Sequence, residues 1–135
     1  MLPHWAYVIL LLIYAVAVGV ITLRPIPGET FTATWVPFAE IWHLLTDPEA
    51  ETYLNLASVA GNVALFVPLG WLLPMIWRQL RSVKRVVIVA AACSITIELI
   101  QYGIPGRTPT TDDVLLNVAG GLIGAVMFLA PRMVE

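Results

Sequence analysis

Four apolar stretches divide the sequence, and each is close to the length needed to cross a bilayer. They cover residues 5–23, 56–77, 86–102 and 112–130. The first has no charged residue, and a signal peptide in its place would need a basic start and a cleavage signal that the sequence does not show. Because about twenty apolar residues span the hydrocarbon core as a helix, the pattern predicts an all-α integral membrane protein, a four-helix transmembrane bundle in one domain over residues 1–135.

The segment between the first two stretches is mixed, with four prolines and five acidic residues. Trp35, Phe38, Trp42 and Leu45 recur in it at helical spacing. This predicts a short interfacial helix with its aromatic side on the membrane, or alternatively a loop that packs these side chains on the bundle. His43 has no second histidine nearby, so we interpret it as solvated or hydrogen-bonded and predict no metal site.

Positive charge is concentrated between the second and third stretches, at Arg78, Arg81, Lys84 and Arg85. Cytoplasmic loops carry the excess of Lys and Arg in membrane proteins. The sequence therefore predicts a plasma-membrane protein with this loop and both termini in the cytoplasm, and with Arg24 and Arg107 outside. Pro68 and Pro74 predict a kinked second helix, since each removes a backbone donor.

Composition narrows the class of protein further. The chain is 59% hydrophobic and 12% charged, which is far too apolar for a soluble domain of 135 residues. A formal net charge of -2 and the absence of a long basic tract give no support for binding nucleic acid. The single Cys93 offers neither a disulfide framework nor a cysteine metal site, and we predict no cofactor.

Polar residues inside or at the ends of the predicted spans are the candidates for a functional site. Thr110 is a predicted helix N-cap with Asp113 in a capping box, while Asp113 and Asn117 share a helical face above Gly120. At 1.5 Å per residue, Glu98, Asn62 and Asn117 lie roughly 6 to 9 Å below the outer ends of their helices. An ionisable group in a span marks a site or an internal partner.

Two interpretations of this polar level stay open. The residues could bond one another across helices as structural polar contacts, or they could line an outward-open crevice at headgroup depth. For the second interpretation, the predicted ligand-binding residues come from the last three spans and from the two outer loops. They are Arg24, Asn62, Glu98, Gln101, Arg107, Asp112, Asp113 and Asn117.

A set of residues in this order resembles the VanZ-like family of small bacterial membrane proteins. The set comprises Arg24-Pro25, Pro37-Phe38, Asn55, Gly61-Asn62, Phe66, Pro68, Gly70, Ser94, Glu98, Gln101, Arg107, Asp112-Asp113, Asn117 and Gly120. The resemblance implies a multi-span domain over nearly the whole chain. It also implies a relation to a founding member associated with resistance to the glycopeptide teicoplanin.

Three functional hypotheses follow. In the first, the protein binds an amphiphilic cell-envelope ligand, a lipid-linked precursor or a lipoglycopeptide: Arg24 and Arg107 pair with its anionic groups, and Trp35 and Trp42 stack on it. The second is an intramembrane enzyme acting on an envelope lipid or sugar phosphate, with Glu98 as general base and Asp113 as acid or metal ligand.

The third hypothesis is a transporter, which four short spans accommodate poorly. The expected partners are membrane lipid and a second copy of the chain. That copy would bind through the smooth face formed by Gly120, Gly121 and Gly124.

Overall fold

The computed structural model describes residues 3–27, 34–46 and 52–132, and within these ranges the chain is helical. Five α-helices follow one another there: α1 His4–Thr22, α2 Ala39–Thr46, α3 Thr52–Ile76, α4 Val83–Gln101 and α5 Thr111–Leu129. Short 3-10 turns cover Arg78–Leu80 and Ala130–Arg132. The described ranges contain no strand beyond an isolated bridge between Thr34 and Thr110, which confirms the all-α prediction.

Three of the described helices are long and apolar enough to cross a membrane. These are α1, residues Leu56–Ile76 of α3, and α5. The predicted third span corresponds to α4, whose 19 residues include Lys84, Arg85 and Glu98. With three charges, α4 is less apolar and is not one of these three helices, so length and apolarity support a membrane protein but do not show all four spans.

The centre of the fold is the contact between α3 and α5, and glycines bring the two backbones together. A methyl group added at Gly120 would overlap the carbonyl oxygen of Val63, and one at Gly124 would overlap that of Val67. Gly121 lies against Ala90 of α4. Small residues permit this close approach in membranes, where packing replaces the hydrophobic drive between helices.

The apolar core forms around this contact. Its buried members come from α3, α4 and α5: Phe66, Leu69, Leu73, Val86, Ala90 and Ala125. The glycine face to which we assigned a homodimer is thus covered by α3 and α4 of the same chain. A second copy would have to use another surface, and self-association itself stays a prediction.

The short helix between the first two predicted spans is present, but it begins later than the aromatic spacing suggested. Trp42 and Leu45 lie in α2 and are exposed, whereas Trp35 and Phe38 precede it. Phe38 has a positive φ of 64°, a conformation that does not continue a helix. The acidic residues Glu29, Asp47, Glu49 and Glu51 lie outside the described residues.

Pro68 and Pro74 lie inside α3, and neither ends it. Each proline lacks the N–H that would bond the carbonyl four residues earlier, so the carbonyls of Ala64 and Gly70 lose their usual helical donors. In a bilayer such groups are tolerated where protein or water surrounds them. Pro74 is buried, as expected of a proline that lies against neighbouring helices, whereas Pro68 is exposed.

Candidate functional site

The start of α5 carries the first polar contacts of the site. Thr110 is the N-cap, and its hydroxyl oxygen accepts a hydrogen bond from the backbone N–H of Asp113 at 3.1 Å. This confirms the predicted N-cap, which satisfies one of the unpaired donors of a helix start. The carboxylate of Asp113 in turn accepts a bond from the side-chain amide of Asn62 on α3. One local turn thus presents an acidic group to a second helix.

Glu98 on α4 also contacts the start of α5. Its side chain is only 3% exposed, and its Oε2 atom accepts a bond from the backbone N–H of Thr110 at 3.1 Å. One turn earlier on α4, the Ser94 hydroxyl accepts a bond from the Asn117 amide at 2.9 Å. These two contacts join α4 to the start and the first half of α5.

The Asn117 side chain also brings an unsatisfied acceptor into the core. It is 5% exposed, and its Oδ1 atom has no hydrogen-bond partner among the described residues. A buried acceptor without a partner costs about 1 to 3 kcal/mol. The hydrogen bond from the Asn117 amide to Ser94 therefore offsets only part of the cost of burying this side chain.

Gln101 and Arg107 bind the end of α1. The Gln101 amide donates to the carbonyl of Thr22 at 2.8 Å. The Arg107 guanidinium donates through Nε to the carbonyl of Arg24 at 2.8 Å and through Nη2 to that of Ile21 at 2.6 Å. The last carbonyls of a helix have no partner within it and carry partial negative charge. The two side chains therefore cap α1 from a distant part of the chain.

The loop that carries Arg107 is held against the same segment by its backbone. Ile26 donates its N–H to the Pro105 carbonyl at 3.3 Å. Gly106 has a φ of 75° and approaches the Ile26 carbonyl so closely that an added methyl group would overlap it. Glycine is required there by both the conformation and the space.

Asp112 holds α2 in place. It is 1% exposed, and its two carboxylate oxygens accept bonds from the backbone N–H groups of Phe38 and Ile41. Phe38 directly precedes α2 and Ile41 lies in its first turn, so Asp112 caps a helix more than seventy residues earlier in the chain. Nearby, the Trp35 and Tyr102 rings lie with centroids 6.5 Å apart, which connects the aromatic segment to the end of α4.

A polar cavity of about 250 Å³ opens among these contacts. Four of the predicted ligand-binding residues line it: Asn62, Gln101, Arg107 and Asp113. The remaining lining residues are Ile21, Thr22, Ile26, Ser58, Leu65, Gly106 and Thr108. The cavity thus has a carboxylate, a guanidinium, two amides and three hydroxyls on its walls, a set that can bind hydroxyl, amine and anionic groups.

The other four predicted residues lie elsewhere. Arg24 lines an adjoining cavity of about 350 Å³, which shares Ile21, Ile26 and Arg107 with the first. Glu98, Asp112 and Asn117 are buried, bind backbone or side-chain groups of the chain, and are not among the residues lining the polar cavity. The contacts of these three residues are those of the first interpretation, in which polar side chains bond one another or the backbone across helices.

The three hydroxyl residues of the cavity wall were not among the predicted site residues. Ser58 precedes Asn62 by one helical turn, so the same-face rule could have added it. Thr22 and Thr108 carried no such signal, because each lies at a chain segment whose neighbour is about eighty residues away.

The apolar helices and the polar cavity at one end of them define a helical membrane protein with a compact polar site. Residues 5–132 match the sequence profile of the VanZ/LLP1 family. The chain belongs to this family, which is associated with glycopeptide resistance. Among curated proteins and among solved structures no match was found.

Proposed function

We propose that this protein binds an amphiphilic cell-envelope ligand, a lipid-linked precursor or a lipoglycopeptide, in the polar cavity. The observation that carries the proposal is the cavity itself, in which Asp113 and Arg107 offer opposite charges and Asn62 and Gln101 offer amides. Ligand sites characteristically combine a concave surface with a few convergent polar groups. A volume of about 250 Å³ suits one sugar or phosphate group better than a whole glycopeptide.

The topology that serves this function has four spans, with α4 as the third. Lys84 and Arg85 lie in the first turn of α4 and can reach the membrane surface, while Glu98 is buried against the start of α5. The charges of α4 therefore need not contact lipid.

With the basic segment from Arg78 to Arg85 in the cytoplasm, both termini are cytoplasmic and the cavity faces outward across the plasma membrane. The exposed Trp35 and Trp42 then lie at the outer interface, where an amphiphile would approach.

Ser58 provides the sharpest test because its exposed side chain lines the cavity, whereas the exposed Ala57 beside it does not. We expect Ser58→Trp to fill the cavity and to lower binding of teicoplanin, and any resistance the protein confers, by at least about tenfold. Ala57→Trp should leave both unchanged at equal membrane abundance. Binding of teicoplanin to purified Ser58→Trp protein that equals the unmodified protein would reject the cavity as the site.

A further inference from the structure

A second, apolar groove runs between α1 and α3. It has a volume of about 280 Å³, and its lining is almost entirely apolar. Four residues from each helix form it: Tyr14, Ala17, Val18 and Ile21 on α1, and Gly61, Ala64, Leu65 and Pro68 on α3. On both helices the positions follow the i, i+3, i+4, i+7 pattern of one face. The groove therefore follows the two helix axes instead of crossing them.

Small side chains explain why the helices leave this space. Ala17, Gly61 and Ala64 present little volume, and a Cβ added at Gly61 would meet no atom within 4 Å. The one polar side chain of the lining, that of Tyr14, donates its hydroxyl to the Leu65 carbonyl at 2.6 Å. With that donor satisfied, the surface of the groove suits hydrocarbon.

The groove adjoins the polar cavity. Ile21 and Leu65 line both. From Ile21 the groove extends back along α1 to Tyr14, seven residues or about 10 Å of helix. The polar cavity and the apolar groove are thus adjacent, and the groove runs from their shared residues along α1 away from the polar end.

We infer that the α1–α3 groove holds the acyl chain of the amphiphile whose polar group occupies the cavity. This inference rests on the proposed function and adds the tail site. A length of about 10 Å accommodates on the order of eight methylenes, with C–C bonds of about 1.5 Å in an extended chain. Shared walls place head and tail in one molecule, because a single ligand passing Ile21 and Leu65 touches both compartments.

The dimensions argue against a helix as the occupant. A helix is about 10 Å across, so a 10 Å segment of it takes up on the order of 800 Å³. The groove has about 280 Å³. An acyl chain is thin enough to enter without separating α1 from α3.

Photolabelling tests this inference in the full chain reconstituted in phosphatidylcholine nanodiscs. The probe is a decyl β-glucoside with a diazirine at mid-chain, and a fatty alcohol with the same chain and diazirine serves as the probe without a sugar. Peptide mapping should place the glucoside label on Tyr14, Val18 and Gly61–Pro68. Gly61→Leu fills the groove and should lower that label at least about tenfold.

Gly19→Leu is the matched control, since Gly19 also has open space at its Cβ position but does not line the groove. It should change the label less than about twofold. Ala64→Leu, at an exposed groove position, repeats the test should Gly61→Leu lower the thermal stability. Label spread over the exposed α1 residues Leu12, Val16 and Val20, and insensitive to both groove variants, would overturn the inference.

The two probes separate the tail site from the proposed function. Stronger groove labelling by the glucoside than by the alcohol, lost in Ser58→Trp, supports both. Equal labelling by the two probes, sensitive to Gly61→Leu but not to Ser58→Trp, would uphold the tail groove and reject recognition in the polar cavity.

Discussion

The helices α1 and α5 both have 19 residues and both can span a membrane, yet they are held in the bundle in opposite ways. α5 buries eight residues, three of them glycines against α3 and α4. In α1, every residue of which is described, Val18 alone is buried. Hydrogen bonds instead connect α1 to the bundle near its start, middle and end, at His4, Tyr14 and Thr22.

Because α1 is packed loosely, the space for a ligand lies beside α1. The backbones of α3 and α5 touch at the glycines and leave no room there for a ligand. By contrast, α1 is attached through side-chain hydrogen bonds, and a cavity and a groove remain between α1 and its neighbours. Two of the side chains that attach α1, Gln101 and Arg107, also line the polar cavity. Attachment of α1 and shape of the site therefore depend on the same side chains.

The largest effect should follow from a larger residue at the α3–α5 contact. Gly120→Leu cannot fit beside the Val63 carbonyl, and we expect a loss of about 3 kcal/mol or more in stability, since overpacking a rigid contact strains the backbone. Thermal unfolding and membrane abundance measure it. Gly19→Leu on α1 is the control and should be nearly neutral. Equal stability of the two variants would contradict the contrast between the helices.

Substitutions of Glu98 distinguish a role in holding α4 against α5 from a role in catalysis. Glu98→Ala leaves the Thr110 N–H without its acceptor and should cost about 1 to 3 kcal/mol. Glu98→Gln keeps an oxygen acceptor and should restore most of the stability along with teicoplanin binding. A Glu98→Gln protein of full stability that no longer functions would favour the enzymatic alternative with Glu98 as general base.

Arg107→Ala should release the end of α1. Loss of the bonds to Ile21 and Arg24 should destabilise this end by roughly 1.4 kcal/mol, or about tenfold in local opening. Hydrogen exchange measures it at the amides of the last turn of α1, including Leu23. Arg107→Lys should recover part of the protection. Exchange that stays unchanged at Leu23 would show that other contacts suffice.

The smallest effect is expected at Tyr14. Tyr14→Phe removes the bond to the Leu65 carbonyl but keeps the ring in the groove wall. We expect a loss of about 0.5 to 1.5 kcal/mol in thermal or denaturant unfolding. A loss similar to that of Gly120→Leu would mean that α1 and α5 contribute equally to the fold.

Much of the fold could be predicted because its causes are local. The length of an apolar stretch can be compared directly with the thickness of the bilayer. The Thr110 cap lies three residues from its donor, the N–H of Asp113. The family resemblance, confirmed over residues 5–132, also rests on residues in their chain order. The aromatic spacing placed the start of α2 too early. The start is set by the backbone conformation at Phe38 and by the distant carboxylate of Asp112.

The apolar helices, and the polar residues near the helix ends, could be predicted from the sequence alone, since hydropathy and helical rise depend only on the chain. The tertiary structure decided which of those polar groups pair with one another and which surround empty space. Arg107 and Ile21 are 86 residues apart, and no local spacing could show that the guanidinium caps α1. Depth follows from position along a helix, whereas the direction and partner of a side chain follow from how the helices pack.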